Sequence, residues 1–516
     1  MDGRGRARCR SKRTAPAGRR AVGLAGAVLA AVALLPGRTT ASPLDEPFVG
    51  GLSFSGPTSG NVAAIYWNPA ALGLARGFQL MVSPSFRSTT IGMTHTSADP
   101  AGPVGTQSAT AHDLSNPLAF PLGPGGFVGI SSDLGGDRFA LGLAAYMPYL
   151  QEVHFALSPA GDEPSRYHAL TIDLRNLALV PALSIRFGDN LRIGVSTGFL
   201  FTTGHLTFAE DTALDGGTAN VETPAVDARY DIASGNGLGN AKLSVTLGAG
   251  AYYRWKRLEL GLSYQSRPLG SDVPGVEVAA PSTTIYLPPR DANAPGIPLT
   301  CANGQSGRCV FGDIAYRLPD VVIGGATWHV APGVEVTAMV RWLWLHVHDR
   351  IDIRVSAPTL DQSGLPQHIV LYRGFHDVWD SRVRVSYWWQ ERIRVGAMVR
   401  FETSAVDANA VNAAAVDGFK VEPVLLAEVR IARRFWLGGG YGLTIMPAVN
   451  VTDSTFDPGY VTAPKTATDP GGCVAAGGDI NNAGCQAQAA GRGRPSADGR
   501  YTLFQQDFGL TLTARF

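Results

Sequence analysis

The feature that most limits what this chain can form is one unit repeated from Gly77 to the C-terminus: a stretch alternating apolar with polar or small residues, then a connection. Alternation has period two, so a β-strand is the element that sorts such a stretch into two faces. In the last stretch Phe504, Phe508, Leu510, Leu512, Ala514 and Phe516 share one face, and Gln505, Asp507, Thr511, Thr513 and Arg515 the other. Likewise Ile393, Val395, Ala397, Val399 and Phe401 oppose Arg392, Arg394, Gly396, Met398, Arg400 and Glu402. A soluble sandwich, with its apolar face turned inward, gives the same local pattern.

The connections separate the two. About fourteen strands are expected, at 78–96, 125–134, 138–149, 167–187, 191–208, 239–255, 257–268, 314–330, 334–355, 368–389, 392–404, 420–432, 435–447 and 501–516. Tight turns such as Gly135-Gly136-Asp137, Gly188-Asp189-Asn190, Ala331-Pro332-Gly333 and Gln390-Glu391 alternate with long loops near 97–124, 209–238, 269–313 and 448–500. Short turns at one end and long loops at the other mark a transmembrane antiparallel β-barrel. An even count places both chain ends on the short-turn side. Trp255, Trp328, Trp388, Trp389 and Trp436 lie near the short turns, where an aromatic girdle belongs, and Trp342 and Trp344 lie further along one strand toward the opposite girdle.

Composition agrees. Only 16% of residues are charged, the mean hydropathy is +0.05 and the net charge is +1. No apolar run after the leader reaches the roughly 18 residues a membrane helix needs, so closed strands are the remaining way to span a bilayer. The neutral balance gives no argument for a nucleic-acid partner. Residues 1–41 read as a signal peptide: a basic stretch from Arg4 to Arg20, an apolar run from Ala21 to Leu35, and small residues before a cleavage near Ala41. Residues 42–76 read as a hatch, or plug, and 77–516 as the barrel. Cys301 and Cys309, and Cys473 and Cys485, form two local pairs in loop sequence, which suits two disulfides in an exported protein. Metal binding is the alternative, but no histidine neighbours either pair and the spacing is not that of a zinc site.

The segment ahead of the first strand carries Phe48, Phe54, Ile65, Tyr66 and Trp67, which a free tail rarely does. It ends in Asn68-Pro69-Ala70-Ala71-Leu72-Gly73-Leu74. Further on come Phe139 to Pro148, Tyr316-Arg317-Leu318-Pro319-Asp320 and Gly499-Arg500-Tyr501. These motifs, spread over nearly the whole mature chain, resemble the FadL-type outer-membrane transporters of long-chain fatty acids and aromatic hydrocarbons. The resemblance implies a fourteen-stranded barrel with an N-terminal hatch whose motif is Asn68, Pro69 and Ala70. It also implies lateral release beside a kink in the third strand, within 138–149, where Gly142 and Pro148 relax the pairing. The long loops at 269–313 and 448–500 depart from the family pattern and leave the substrate open.

Gly194-Val195-Ser196-Thr197-Gly198 matches the nucleophile-elbow pattern, but it lies inside a strand with no helix behind it, so no enzyme is expected. His346 and His348, at i and i+2, share a strand face and continue that of Trp342 and Trp344. No carboxylate cluster completes a metal site there, and they read as interfacial side chains. Arg341, Arg382, Arg384, Arg394 and Arg400 fall on lumen faces. There they either bind a fatty-acid carboxylate or pair with Asp380, Glu402, Asp507 or hatch carbonyls and hold the plug. The reading is a bacterial outer-membrane, monomeric, passive channel without cofactor, taking a hydrophobic small molecule such as a fatty acid. Its other partners are outer-membrane lipid and, through Phe516, the barrel-assembly machinery. The rival is a surface protein whose stapled loops bind a partner without transport.

Overall fold

The computed structural model describes residues 44–96, 106–114, 123–157, 162–211, 227–234, 242–269, 275–287, 296–299, 310–357, 365, 367–456 and 497–516. The signal peptide and all four loop cysteines lie outside the described residues. Among the described residues, fourteen antiparallel strands close into a barrel. The first, β1, comprises Phe78–Ser83 and Ser85–Thr96, interrupted at Pro84, which has no N–H for the ladder. It is followed by β2 (Phe127–Ser132), β3 (Phe139–His154), β4 (Thr171–Phe187), β5 (Leu191–Asp211), β6 (Lys242–Trp255) and β7 (Leu258–Gln265). The other seven are β8 (Val321–Ala331), β9 (Val334–Leu343), β10 (Val378–Trp389), β11 (Ile393–Glu402), β12 (Lys420–Ala432), β13 (Phe435–Ile445) and β14 (Gly499–Arg515). β14 pairs with β13 on one side and with β1 on the other, which leaves no open edge.

The alternation in the sequence becomes two environments. Leu191, Ile193 and Val195 of β5 and Phe504, Phe508, Leu510 and Leu512 of β14 are exposed on the outside. Thr511, Thr513 and Asp507 of β14 are buried inside. Gly77, at φ 68°, lets the chain pass the end of β14, where the Phe516 amide donates to the Phe78 carbonyl at 2.8 Å. The girdle reading divides. Trp255, Trp328 and Trp389 are exposed outward, whereas Trp388 and Trp436 meet edge to face at 5.8 Å, under the guanidinium groups of Arg394 and Arg515.

Three expected strands are too long. The barrel keeps 321–331, 334–343 and 378–389, and the outer parts of those stretches leave it for a separate four-stranded sheet. That sheet orders Val276–Ala280, Phe311–Tyr316, Arg350–Ser356 and His368–Tyr372 side by side. A 3-10 turn at Leu345–Val347 ends β9. His346 and His348 therefore do not share a strand face: His346 is exposed beside Asp377 at 2.6 Å, and His348 is buried. Alternation persists across the break because the outer sheet buries Ile351, Ile353 and Val355 on its own inner face.

Candidate functional site

The barrel interior is filled by residues 44–75. A one-turn helix, α1 (Ala64–Trp67), leads into a 3-10 helix, Pro69–Leu74, and nearly all of both are buried. Asn68 joins them. Its Oδ1 accepts from the Ala70 amide at 3.0 Å and so caps the 3-10 helix, while Pro69 occupies the first helical position, where a missing N–H costs nothing. Its Nδ2 donates to the Pro57 carbonyl at 2.8 Å and to the Ala251 carbonyl of β6 at 3.0 Å. One side chain thus folds the hatch and fastens it to the wall.

The wall answers with missing side chains. A Cβ on Gly194 would overlap the backbone of Pro69 and Ala70, one on Gly250 would overlap the Asn68 carboxamide, and one on Gly261 would overlap the Pro57 carbonyl. The serine of the elbow-like pattern sits mid-strand in β5, and its first glycine is the contact surface for the hatch. Ser184 donates to the Ala70 carbonyl at 2.8 Å, and Ser263 to that of Trp67 at 2.6 Å.

On the opposite side the five lumen arginines converge. Arg341, fully buried, reaches Asp45 at 2.7 Å, Asp380 at 3.0 Å and the Tyr66 hydroxyl at 3.0 Å. Arg382 pairs with Asp380 and lies over the rings of Phe48 and Trp67. Arg400 reaches Glu422 at 3.0 Å and Asp380 at 3.3 Å, and also pairs with Glu402. Arg384 donates to the Ser55 carbonyl of the hatch at 2.9 Å. Arg394 pairs with Glu335 and covers the Phe54 ring at 4.1 Å. Every one of the five touches hatch atoms or wall carboxylates. Asp507, expected among their partners, instead joins Glu46 in holding Arg87, at 2.7 and 2.9 Å. Asp45, Glu46 and Arg87 were not singled out in the sequence, where nothing local marks pairing across the barrel.

The third strand is irregular. The ladder between β3 and β4 loses register between Tyr146 and Tyr149, leaving Met147 and Pro148 outside it. Gly142 is not part of this break: it pairs regularly with Ser131 and Ala182, and its missing Cβ makes room for Ile65 and Leu72 of the hatch. At the break the first described residues of the chain act as an added strand. The Glu46 amide donates to the Pro148 carbonyl at 3.0 Å, the Leu150 amide donates to the Leu44 carbonyl at 2.9 Å, and Asp45 faces Tyr149. Just outward lies a cavity of about 90 Å³ lined in part by Asp45, Arg87, Leu150, Gln151, Ala414 and Lys420. On the short-turn side of the hatch, a second cavity of about 330 Å³ is lined in part by Phe54, Asn61, His329, Glu335 and Arg394.

Asp417 and His348, both outside the barrel strands, are shifted by burial. Burial pushes the Asp417 carboxyl up to about 6, against the Lys420 ammonium, which draws it down. Burial and the nearby Arg373 cation push His348 down to about 3, so its ring is neutral at ordinary pH.

The sequence matches the model of the family described as outer membrane protein transport protein (OMPP1/FadL/TodX) over residues 49–417. No match was found among curated protein sequences. In overall fold the chain is similar to a FadL homologue from Pseudomonas aeruginosa, with a TM-score of 0.64 at 14% identity over 93% of this chain and 100% of that one. It is also similar to the Pseudomonas putida toluene transporter TodX (TM-score 0.57, 13% identity, 92% of this chain and 97% of that one). A third likeness is to the monoaromatic hydrocarbon channel CymD (TM-score 0.53, 11% identity, 92% and 97%). With the family model spanning hatch and most of the barrel, the chain belongs to the FadL/TodX family of bacterial outer-membrane β-barrel channels for hydrophobic compounds.

Proposed function

We propose that the chain is a passive, hatch-gated channel for long-chain fatty acids, which leave sideways through the break in β3. Cargo enters from the outer loops because apolar surface leaves water, at about 25 cal/mol per Å². It is held above the hatch and departs when the Leu44–Glu46 segment leaves the break. The observation that carries this reading is the pairing of that segment with Pro148 and Leu150. A barrel wall is normally sealed by its own ladder, whereas this stretch pairs with the short Leu44–Glu46 segment, which moves away in the proposed gating. Two arginines act as its latch: Asp45 is held by Arg341, and Glu46 by Arg87.

The test is uptake of labelled oleate and of toluene by cells carrying the full chain or a variant lacking residues 42–76. Uptake that is hatch-dependent and greater for oleate is expected. Identical oleate uptake by the two forms would sink the gating mechanism, and uptake of toluene alone would reassign the cargo.

A further inference from the structure

The short turns of an outer-membrane barrel lie at its periplasmic end, against the phospholipid leaflet, and in this chain they share their charge unevenly. At the β2–β3 and β4–β5 turns the acids all have partners. Arg186 reaches Asp137 and Asp189, each at 2.7 Å, and Asp133 accepts from the Gly77 and Gly135 amides at 2.8 and 3.0 Å. Elsewhere on the rim, the β10–β11 and β12–β13 turns bring Arg392, Arg430, Arg433 and Arg434 together. The Arg430 amide donates to the Arg392 carbonyl at 2.8 Å, and Arg430 Nη2 donates to the Arg433 carbonyl at 2.7 Å. The Arg515 amide ties the end of β14 to the same turn, donating to the Arg434 carbonyl at 2.8 Å. Arg392, Arg430, Arg433 and Arg434 are all exposed, and among the described residues none of them makes an ion pair. The acids in these segments are Glu391, Glu428, which takes Arg515 at 3.8 Å, and the Phe516 carboxylate. Five arginines therefore stand against three acids, and the excess is positive.

The apolar belt begins directly beside this cluster. Ile431, Phe435 and Phe516 are exposed. The Phe516 ring stands 6.0 Å from that of Phe78 and 6.3 Å from that of Phe435, so the three rings span the seam where β13, β14 and β1 close the barrel. The Arg434 guanidinium lies 5.5 Å from the centre of the Phe516 ring. Cations at the edge of an apolar belt match the build of an anionic phospholipid, a charged phosphate carried on two acyl chains. Arginine suits the phosphate further, because its planar fork donates two N–H groups at once. A zwitterionic phospholipid brings the same phosphate with its own ammonium, which cancels the attraction. The β6–β7 turn also carries Arg254, Lys256 and Arg257, but Arg254 has Glu259 at 4.0 Å. Its neighbours on β8 and β9 are His329 and Glu335, which face each other at 3.6 Å and add no arginine.

We propose that Arg392, Arg430, Arg433 and Arg434 form a binding site for the headgroup of an anionic phospholipid, whose acyl chains lie along Ile431, Phe435 and Phe516. The lipid sits beside the closing seam and fastens the last strands of the barrel from outside. This site is separate from the hatch and from the path of the cargo.

The test uses the full-length protein in detergent micelles, titrated with phosphatidylglycerol or phosphatidylcholine of identical acyl chains. Bound lipid is counted by native mass spectrometry. The parent should retain phosphatidylglycerol at a roughly ten- to thirtyfold lower concentration than phosphatidylcholine, about what two basic residues beside an anionic headgroup supply. Arg433→Gln combined with Arg434→Gln should remove most of that preference. Arg138→Gln, at the β2–β3 turn, takes one exposed arginine from the balanced part of the rim and should leave the preference unchanged. A parent with no preference, a double variant that keeps it, or an Arg138→Gln variant that loses as much would overturn the site. Inorganic phosphate in excess should not displace the lipid; displacement would show a site for soluble anions and overturn the lipid assignment. Heat-modifiable gel mobility checks that the double variant is folded, and if it is not, the two single variants are judged by the same criterion.

Discussion

The hatch meets the wall of the barrel in two different ways. Against β5, β6 and β7 it presses backbone to backbone, through Gly194, Gly250 and Gly261, and Asn68 is hydrogen-bonded to both sides at once. Against β3 it is held by two strand-type hydrogen bonds, and the same segment is tied by ion pairs from Asp45 to Arg341 of β9 and from Glu46 to Arg87 of β1. The first contact has one arrangement, because close approach leaves no room for another. The second is built from groups that can be re-partnered by water or by a competing anion. In the proposed gating the plug has its anchor on one wall and its release on the other.

Locking the yielding side tests this contrast most severely. Leu44 and Leu150 face each other across a hydrogen-bonded antiparallel pair, whose usual Cα separation of about 5.5 Å suits a disulfide. Cysteines at both positions should cut oleate uptake about tenfold or more when oxidised, a population shift of at least ~1.4 kcal/mol, with recovery under dithiothreitol. Uptake insensitive to the oxidised bond would mean that cargo leaves elsewhere. Disturbing the anchor should do the reverse. Gly194→Val forces a side chain into Pro69 and Ala70, an overpacking that costs about 1–3 kcal/mol, and should raise liposome leakage of small sugars while the barrel stays folded by gel mobility. Tight liposomes would place the anchor elsewhere.

A third effect belongs to the loop beside the latch. Asp417 accepts from the Ala405 and Gly418 amides at 2.9 and 3.1 Å. Its carboxyl is raised from 3.8 to about 6, so between those values the folded protein keeps a proton that the unfolded chain has lost. Stability of this loop is therefore greatest at low pH and falls as pH rises through that window, by up to about 3 kcal/mol. Hydrogen exchange across 404–418, corrected for intrinsic rate, should be slower at pH 5 than at pH 7, and Asp417→Asn should flatten the difference. The smallest effect concerns a turn remote from both walls. Gln390 and Glu391 both take positive φ, at 51° and 55°. Replacing them by Asn and Gly should stabilise the barrel by about 1 kcal/mol in urea, with oleate uptake unaltered.

Most of the barrel could be read from residues alone because alternation and turn chemistry are local. The strand order and the closure at Phe516 followed from them, whereas Asn68-Pro69-Ala70, named through the family resemblance, lies in the segment that fills the barrel. The strands at 314–330, 334–355 and 368–389 were overextended because Tyr316, Ile351 and Ile369 continue the apolar rhythm into a second sheet with its own inner face. Gly142 was assigned to the kink because glycine loosens a strand, but its actual neighbours, Ile65 and Leu72, are more than sixty residues away in sequence. Leu44–Glu46 carries no strand signal at all, since three residues have no period to display. Gly194 was visible only within the elbow-like pattern, and Gly250 and Gly261 carried no signal; their meaning required the hatch.

The glycine-for-backbone fit on the anchoring wall has a consequence for inheritance. A barrel with side chains at these three wall positions would strike the plug where Pro57, Asn68 and Ala70 now meet Gly261, Gly250 and Gly194. Domain shuffling between relatives would then yield stuck or leaking hybrids. Plug and wall must change in step, and new cargo preferences should arise in the outer loops and at the side opening.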